Sequence, residues 1–547
     1  MHTIMSASQA KDRLSNFKDK PFREYQQPTI DYIMEATKPI TIVRAPCGAG
    51  KSLVAMCCGV MNGELTYITN SKFLQTQVVG DFPEVVSIWG RGNYSCSNEP
   101  SRTCDECLAT ESDPCERGCP YKIAKQKAVD AKYRVLNGQY FLSETRFAGK
   151  FSGSSLCIID EADSFSDLLV QNIALVFTER SLYQLGLESG PKFKTVTAKD
   201  GLSSWRDFGE AALYKSTELA KSIGKEVEDM GNGDPENKLR KIREMKHFVN
   251  ITEQCDVFLK SVDTSWRLEE IPRYGSRQGQ LIFKPIWVTP ELSREFMLKH
   301  AERFVLLSAT YPPLPVLCRQ LGIDIDDVEG GAIYDVPTTF PPENAPVYVW
   351  PVASLAYDRM EAETPKIIKA VKKILSRHPN SRGLIHCVSY KLGQDIIKGV
   401  NSPRLIMHNS ENRQEVIAGF TDSTSTKYPE DAVLLSPSAE RGLDLKEKLC
   451  DFVVVVKNPF KSLADKIVQA RLHASGEIGK LWFRSDSMQA IEQMAGRGVR
   501  SKDDKCSIYL IDQKTEDLYT AQPSLWSKNF RAQISWDSNE LLDEEAS

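Results

Sequence analysis

The sequence predicts an α/β protein with two parallel sheets, in which the first half carries a cysteine-rich insertion and a helical insertion. Three observations predict this fold class. A glycine-rich loop lies between an apolar strand and a helix near residue 50, a second series of alternating strands and helices starts near residue 340, and two stretches of different composition interrupt the first half. Alternation of strands and helices favours parallel sheets, because a parallel strand pair needs a crossover that is usually a helix.

Composition limits the possible function classes. The chain has 547 residues, enough for several domains, and its 41% hydrophobic and 26% charged content is typical of a globular protein. It lacks an apolar run of about eighteen residues and a signal-peptide pattern, so we expect no membrane association and a cytoplasmic location. The net charge of −4 excludes an overall basic protein, so a nucleic-acid site would need a local basic surface.

The loop itself reads Ala-Pro-Cys-Gly-Ala-Gly-Lys-Ser and follows the apolar run Ile40–Val43. A strand, a glycine loop and a helix N-terminus form a phosphate cradle, because backbone N–H groups and the helix dipole favour an anion. We predict that Lys51 reaches the β- and γ-phosphates of ATP and that the Ser52 hydroxyl is a ligand of Mg²⁺. The other loop positions predicted to bind the nucleotide are Ala45, Gly48, Ala49 and Gly50.

Two further groups of residues accompany the loop. Arg23 and Gln26 precede it and are predicted either to contact the nucleotide or to brace the loop. The apolar run Leu156–Ile159 predicts a buried strand that ends in Asp160 and Glu161. Carboxylates at this end of such a strand suit phosphoryl transfer: Asp160 would bind Mg²⁺ and Glu161 would polarise the attacking water.

Five cysteines lie between Tyr94 and Tyr121, among Gly, Pro, Ser, Asp and Glu residues. A short module with so little apolar material commonly needs a metal to fold, and thiolates suit zinc or an iron–sulfur cluster. Spacing alone does not choose the metal. The two flanking tyrosines are predicted either to stack on bases or to pack internally. The candidate metal ligands are Cys96, Cys104, Cys107, Cys115 and Cys119.

Residues 165–290 show apolar positions three to four apart and a turn at Gly231–Pro235, which predicts a helical insertion with a helix hairpin. Its basic residues would either contact a phosphate backbone or form a solvated face. These basic residues are Lys238, Arg240, Lys241, Arg243 and Lys246.

The C-terminal half supplies further candidates. Gly442 and Asp444 follow a predicted strand and are expected to bind the nucleotide. Gln493, Arg497 and Arg500 are predicted to lie on one helix, where the two arginines share a face and would reach the γ-phosphate from across a domain interface. The strands predicted here are Val347–Val352, Gly383–Val388, Ala432–Leu435, Phe452–Val456 and Ser507–Ile511, with a helix over Pro365–Leu375.

These elements, in this order, resemble the XPD/DinG family of superfamily 2 iron–sulfur helicases. The most specific matches are Gly90–Cys96, Ser308–Thr310, Leu481–Asp486 and Gln493–Arg500. The resemblance implies two RecA-like domains with ATP and Mg²⁺ between them, a 4Fe–4S cluster on four of the five cysteines, and an Arch-like domain at the helical insertion. It also implies a monomer that moves 5′→3′ on single-stranded DNA and unwinds forked duplexes.

The resemblance divides the chain into four units. The first RecA-like domain would comprise residues 1–89, 122–164 and 291–338, the cluster domain 90–121, the Arch-like insertion 165–290, and the second RecA-like domain 339–547. Asp163 stands where the family usually has His, and Arg441 where it usually has Glu. The compact insertions suggest a viral or mobile-element member, which would act at a nucleoid or in a host cytoplasm.

Two alternatives remain open at this point. One is a zinc-containing, nucleic-acid-dependent ATPase that remodels RNA or nucleoprotein without unwinding DNA. The other is a binding protein that keeps the fold but has lost turnover, although Lys51, Asp160, Glu161 and Arg497 are all present.

Overall fold

The computed structural model describes most of the chain as helices and strands joined by short loops. The described residues are 5–108, 118–147, 149–187, 197–230, 234–338, 340–356, 358–409, 411–422, 426–437, 449–474, 476–499 and 504–535. Within them the strands are β1 (Ile40–Arg44), β2 (Leu65–Thr69), β3 (Val86–Ser87), β4 (Tyr133–Asn137), β5 (Cys157–Asp160), β6 (Leu175–Thr178), β7 (Trp266–Ile271), β8 (Gln280–Pro285), β9 (Phe304–Ser308), β10 (Tyr334–Asp335), β11 (Val347–Ala353), β12 (Gly383–His386), β13 (Leu405–Met407), β14 (Val433–Ser436), β15 (Phe452–Val455), β16 (Ser507–Asp512) and β17 (Ile534–Ser535).

The helices follow the same chain order. They are α1 (Ala7–Lys11), α2 (Gln26–Glu35), α3 (Lys51–Asn62), α4 (Lys72–Asp81), α5 (Pro120–Asp130), α6 (Gly138–Phe147), α7 (Phe165–Ile173), α8 (Glu179–Gln184), α9 (Leu202–Asp229), α10 (Pro235–Ser261), α11 (Pro290–Phe296), α12 (Leu314–Leu321), α13 (Met360–Arg377), α14 (Tyr390–Val400), α15 (Arg413–Thr421), α16 (Lys466–Ala474), α17 (Glu477–Ala495), α18 (Gln513–Ala521) and α19 (Lys528–Gln533). No helix in these ranges is long and apolar enough to cross a membrane.

The first sheet has the strand order β10-β1-β9-β5-β2-β4-β3, and its strands pair in parallel. Strands β2, β5 and β9 are buried along their whole length, as expected of a parallel sheet covered by helices on both faces. In the register of β9, Ser308 pairs with Arg44 and Leu307 pairs with Asp160. The carboxyl ends of β1, β5 and β9 therefore meet at one edge.

The second sheet has the order β13-β14-β12-β15-β16-β11-β17 and is also parallel. Helices α13 to α15 and α17 to α19 alternate with its strands along the chain. The predicted class, with two parallel-sheet α/β domains, is confirmed. The predicted strand starts and ends in this half differ from the observed ones by at most a few residues.

The insertion at residues 165–290 was predicted to be helical, and this prediction is incomplete. Helices α9 and α10 form the expected hairpin, but β6, β8 and β7 form an antiparallel sheet beside it. The sheet and the hairpin share an aromatic core in which the Phe283 ring lies 5.8 Å from Phe208 and 5.0 Å from Phe258. Strand β8 alternates buried and half-buried residues, which is the pattern of a strand covered on one face.

The helix predicted to carry Gln493, Arg497 and Arg500 is shorter than expected. Helix α17 ends at Ala495, so Arg497 lies beyond it, and Arg500 is outside the described residues. At Gly498 the chain passes close to the residue before β16, where a Cβ would lie 2.2 Å from Cys506 Sγ. The prediction that Arg497 lies on the helix is wrong, and the face it would share with Arg500 stays a prediction.

Candidate functional site

The loop between β1 and α3 has the backbone of a phosphate cradle. Gly48 and Gly50 adopt left-handed φ angles of 78° and 80°, which turn the chain tightly into the N-terminus of α3. A Cβ at Gly50 would lie 2.2 Å from Gln26 Nε2, so any larger residue there would displace the Gln26 side chain. Lys51 Nζ donates to the Ala45 carbonyl at 3.3 Å and thus lies folded back over the loop.

Arg23 and Gln26 brace this loop. The Arg23 guanidinium donates to the Gly48 carbonyl, and Gln26 Nε2 donates to the Ala49 carbonyl at 3.0 Å. Gln26 Oε1 in turn accepts the Arg23 backbone N–H at 2.9 Å. Of the two roles predicted for this pair, bracing is the one that the geometry supports, and contact with a nucleotide stays a prediction.

The acidic pair lies at the carboxyl end of β5, beside the loop. Asp160 is 5% exposed, and Tyr67 on β2 donates its hydroxyl to Asp160 Oδ2 at 2.8 Å. Burial raises the pKa of Asp160, Lys51 opposes this shift, and the neighbouring Glu161 adds to it. Because a bound cation would offset the cost of burying this carboxylate, the site fits the predicted Mg²⁺, with Ser52 also within hydrogen-bonding reach of Tyr67.

Glu161 is held in an unusual conformation. Its φ of 55° is left-handed, which is uncommon for a residue with a side chain and is often found at functional sites. Asn70, which follows β2, donates to the Glu161 carbonyl at 2.9 Å and stabilises the turn.

A hydrogen-bond cluster joins the two domains next to this acidic pair. Gln493, near the end of α17, donates to Asp163 Oδ2 at 2.8 Å and to Thr310 Oγ1 at 2.9 Å. Ser308 at the end of β9 donates to the other Asp163 oxygen at 2.6 Å. All four side chains are buried. Gln493 of the second domain thus contacts the acidic turn that follows β5 in the first domain.

The segment after α17 lies against the phosphate loop. A Cβ at Gly496 would lie 3.9 Å from Cys47 Sγ, so Gly496 lies close to the phosphate loop of the first domain. Arg497 is the next residue in the chain. Burial and the adjacent Arg497 charge lower the pKa of His386 to about 3.

Three predicted residues, Gly442, Asp444 and Arg500, lie outside the described residues.

In its described residues, 90–108 and 118–121, the cysteine module has little regular structure of its own. It contains two short 3₁₀ turns, Arg91–Asn93 and Cys104–Glu106. Cys104 Sγ lies 3.8 Å from Cys119 Sγ, and burial raises the pKa of Cys104, with further contributions from Cys119 and Cys96. Within the described part of the chain no group of three or more Cys, His, Asp or Glu side chains is placed to hold a metal. Cys115 lies outside that part.

The two tyrosines that flank the module pack internally. Tyr121 is 3% exposed, and its hydroxyl contacts Tyr140 at 2.9 Å and Glu144 at 3.0 Å. Tyr94 accepts the Trp89 N–H at 3.2 Å, and the Tyr94 and Tyr121 rings meet edge to face at 5.8 Å. The geometry supports the packing role and not base stacking for Tyr121.

A cavity of about 730 Å³ lies between the cysteine module, β6–α8 and α10, and its wall carries both arginines and the acidic residues Glu106, Glu236 and Glu244. Arg243 on its wall pairs with Glu106 of the module at 3.1 Å. Among the other basic residues predicted on α10, Arg240 lines the cavity, Lys241 pairs with Glu226 at 2.7 Å, and Lys238 is buried. The basic residues on the cavity wall are Arg102, Arg180, Arg240, Arg243 and His247.

Comparisons with known proteins agree with this geometry. Residues 371–529 match the helicase C-terminal domain family. The ATP-dependent DNA helicase CHL1 of Saccharomyces cerevisiae is 21% identical over 475 residues, which cover 72% of this chain and 54% of that protein. The ATP-dependent DNA helicase XPD of Sulfolobus acidocaldarius is 25% identical over 150 residues, or 26% of each chain. The chain spans about half the length of the CHL1 relatives it matches.

Solved structures match over nearly the whole chain. An XPD helicase structure has a TM-score of 0.60 at 16% identity and covers 94% of this chain and 98% of its own. The Xpd4 structure of S. tokodaii has a TM-score of 0.54 at 13% identity and covers 94% and 100%. The predicted fold, with two RecA-like domains, is that of these structures.

Proposed function

We propose that this chain, an XPD/DinG-like superfamily 2 helicase homologue, is an ATP-dependent DNA helicase that uses both domains to hydrolyse ATP. The observation that carries this proposal is the link from Gln493 in the second domain to Asp163 and Thr310 in the first, beside the phosphate loop. A side chain that crosses the domain interface at this point makes the geometry of the acidic turn depend on domain closure.

The residues of the site have distinct roles in this proposal. Lys51 and the loop N–H groups bind the phosphates, and Ser52 and Asp160 hold Mg²⁺, which would neutralise charge that develops on the phosphate oxygens. Glu161 orients the attacking water. Arg497 stabilises the transition state from the second domain, as does Arg500 by its sequence position, and Gly442 and Asp444 complete the interface.

The DNA substrate would be single-stranded or forked, with 5′→3′ movement by a monomer. The four arginines on the wall of the cavity between the cysteine module and α10, which outnumber its three glutamates, are the candidate contacts for a phosphate backbone in a protein whose net charge is −4. Such binding is mainly electrostatic and therefore weakens as salt is raised.

We propose that the cysteine module binds a 4Fe–4S cluster, with zinc as the alternative. The thiol donor set and the 3.8 Å approach of Cys104 to Cys119 support a thiolate-bound metal. Protein purified without oxygen is expected to absorb visible light and to contain about four irons per chain. One zinc in a colourless protein would favour the alternative, a zinc-containing ATPase that remodels RNA or nucleoprotein.

The direct test is ATP hydrolysis with and without single-stranded DNA. We expect turnover that rises with DNA and is lost in Lys51→Ala, while Lys514→Ala, an exposed lysine on α18, keeps the wild-type rate. Forked substrates with a 5′ or a 3′ tail, in matched DNA and RNA versions, then test polarity and substrate. Undiminished hydrolysis in Lys51→Ala would overturn the site, and remodelling of RNA without DNA unwinding would overturn the helicase assignment.

A further inference from the structure

A small apolar core connects three parts of the molecule. Ile286 and Trp287 follow β8, where the chain leaves the insertion. Val316 belongs to α12 of the first domain, while Val468 and Trp482 belong to α16 and α17 of the second domain. We call this set the junction. It is the place where the root of the insertion and both domains touch.

Arg471 of α16 lies inside the junction and is 7% exposed. Its guanidinium carbon is 5.2 Å from the centres of both the Trp287 and the Trp482 rings. Arg471 Nε donates to the Ile286 carbonyl at 2.6 Å, and Nη1 is 3.7 Å from Asp167 Oδ1. Asp167 belongs to α7, which begins directly after the acidic turn. One side chain of the second domain thus contacts both the beginning and the end of the insertion.

Helix α17 connects this junction to the nucleotide site. Trp482 lies near its start and Gln493 near its end, so the two contacts are about 16 Å apart along the axis. A Cβ at Gly479 would lie 2.3 Å from the Arg471 carbonyl, so α16 and α17 pack without a gap. A shift of α17 at its Gln493 end therefore moves the Arg471 contacts as well.

We propose that Arg471 is a positioning residue that couples nucleotide-dependent movement of α17 to the root of the insertion. This inference rests on the proposed function, because it requires that a nucleotide bind at the phosphate loop. A planar guanidinium keeps a donor on a backbone carbonyl while it lies close to both indole rings, which meet each other edge to face at 85°, and neither an ammonium nor an apolar side chain makes this combination of contacts. Arg471 thus transmits a shift of the Gln493 end of α17 to the root of the insertion.

Hydrogen–deuterium exchange of the full chain tests this, with and without the ATP analogue AMP-PNP and Mg²⁺. In the wild type we expect nucleotide-dependent changes both at the loop, residues 45–52, and at the insertion root, residues 266–288. In Arg471→Met the loop response is expected to remain and the root response to be lost. Lys466→Met, an exposed position on the same helix, serves as the matched control and is expected to keep both responses.

The exchange results distinguish failure of the coupling role of Arg471 from failure of the proposed nucleotide site. A root response that persists in Arg471→Met overturns the coupling role. A wild-type protein whose loop does not respond overturns the proposed nucleotide site and this inference with it. If Arg471→Met does not fold, Trp287→Leu removes one ring face and keeps the junction apolar, and loss of the root response alone is again expected.

Discussion

Gln493 and Asp163 lie 330 residues apart in sequence, yet the Gln493 amide donates to the Asp163 carboxylate at 2.8 Å across the domain interface. Ser308 holds the other oxygen of the same carboxylate, so its position is fixed from both domains. Asp163 is three residues after the Mg²⁺ candidate Asp160. A movement of the second domain would therefore shift the acidic turn that carries Asp160.

We first predict that Gln493→Ala lowers kcat for ATP more than it raises KM, because it removes the domain link without touching the phosphate loop. Asp163→Ala is expected to have a similar effect, and the double variant to be little worse than either alone. A coupling energy of about 0.5–3 kcal/mol from the double-mutant cycle on kcat/KM would confirm the link. Additive losses would contradict it.

We next predict that Arg497→Ala slows hydrolysis by about 10³-fold or more while ATP binding changes far less, as expected for an arginine that acts in the transition state. Single-turnover experiments measure the rate of hydrolysis, and equilibrium titration measures the affinity for ATP. Arg497→Lys keeps the charge but not the planar fork, so partial activity is expected. Equal losses in rate and affinity would argue against the role.

Tyr67→Phe is expected to shift the acid side of the pH–rate profile to higher pH. The Tyr67 hydroxyl stabilises the ionised Asp160 carboxylate and thereby lowers its pKa, in opposition to burial. Removing the hydroxyl leaves Lys51 and the Glu161 backbone N–H to oppose burial and the Glu161 charge, so Asp160 stays protonated to a higher pH and Mg²⁺ binds less well. An unchanged profile at saturating Mg²⁺ and at low Mg²⁺ would refute this prediction.

The buried His386 is expected to contribute to acid sensitivity. Its folded-state pKa of about 3 lies below the ordinary value of 6.5, so the stability that neutral His386 provides is present above about pH 6.5 and is lost as the pH falls toward 3. Each unit of pKa difference is worth about 1.4 kcal/mol. We therefore predict that His386→Gln loses less unfolding free energy than the wild type between pH 7 and pH 4.

A parallel measurement on His378→Gln serves as the comparison, since burial also lowers the pKa of His378, to about 4. Both single variants are expected to flatten the dependence of unfolding free energy on pH. If His386→Gln follows the wild-type curve throughout, the buried neutral histidine does not contribute as described.

Gly50→Ala is expected to destabilise the phosphate loop and weaken ATP binding for two separable reasons. The φ of 80° costs about 1–2 kcal/mol for an L-residue, and the new Cβ would clash with Gln26 Nε2. Gly50→Ala combined with Gln26→Ala removes the clash but also the bond from Gln26 to the Ala49 carbonyl. The double variant is therefore compared with Gln26→Ala alone, and partial recovery of the ATP affinity lost through Gly50→Ala is expected. No recovery would show that the φ cost dominates, and full recovery would contradict a backbone requirement.

The sequence predicted the parts of the site that depend on local patterns. The loop at Gly48–Ser52 and the acidic pair at Asp160 were recognisable because their chemistry requires certain residues at fixed spacing after a strand. Tyr67 was missed, because a tyrosine in an apolar strand shows no sign of which strand lies beside it. The bracing role of Gln26 likewise depends on packing against Gly50, which no spacing reveals.

Tertiary contacts also explain why the helix prediction for Arg497 was wrong and why the prediction of a helical insertion was incomplete. Helix α17 ends at Ala495, and three residues later Gly498 packs against Cys506, a contact that depends on the position of β16 and has no local signal in the sequence. The antiparallel sheet of the insertion was missed because its short strands lie between two helices whose apolar spacing dominates the pattern. Its strand β6 is separated from β8 by the whole α9–α10 hairpin, so no local turn marks the pairing.

The position of β9 has a consequence for synthesis of the chain. This strand lies between β1 and β5 in the first sheet, but the ribosome makes it only after the entire insertion. Until then β1 lacks its neighbour on that side, and the apolar edges of β1 and β5 stay exposed. Because unpaired strand edges promote aggregation, we expect nascent chains that stop before residue 304 to be insoluble or bound by chaperones, whatever the insertion itself can fold into.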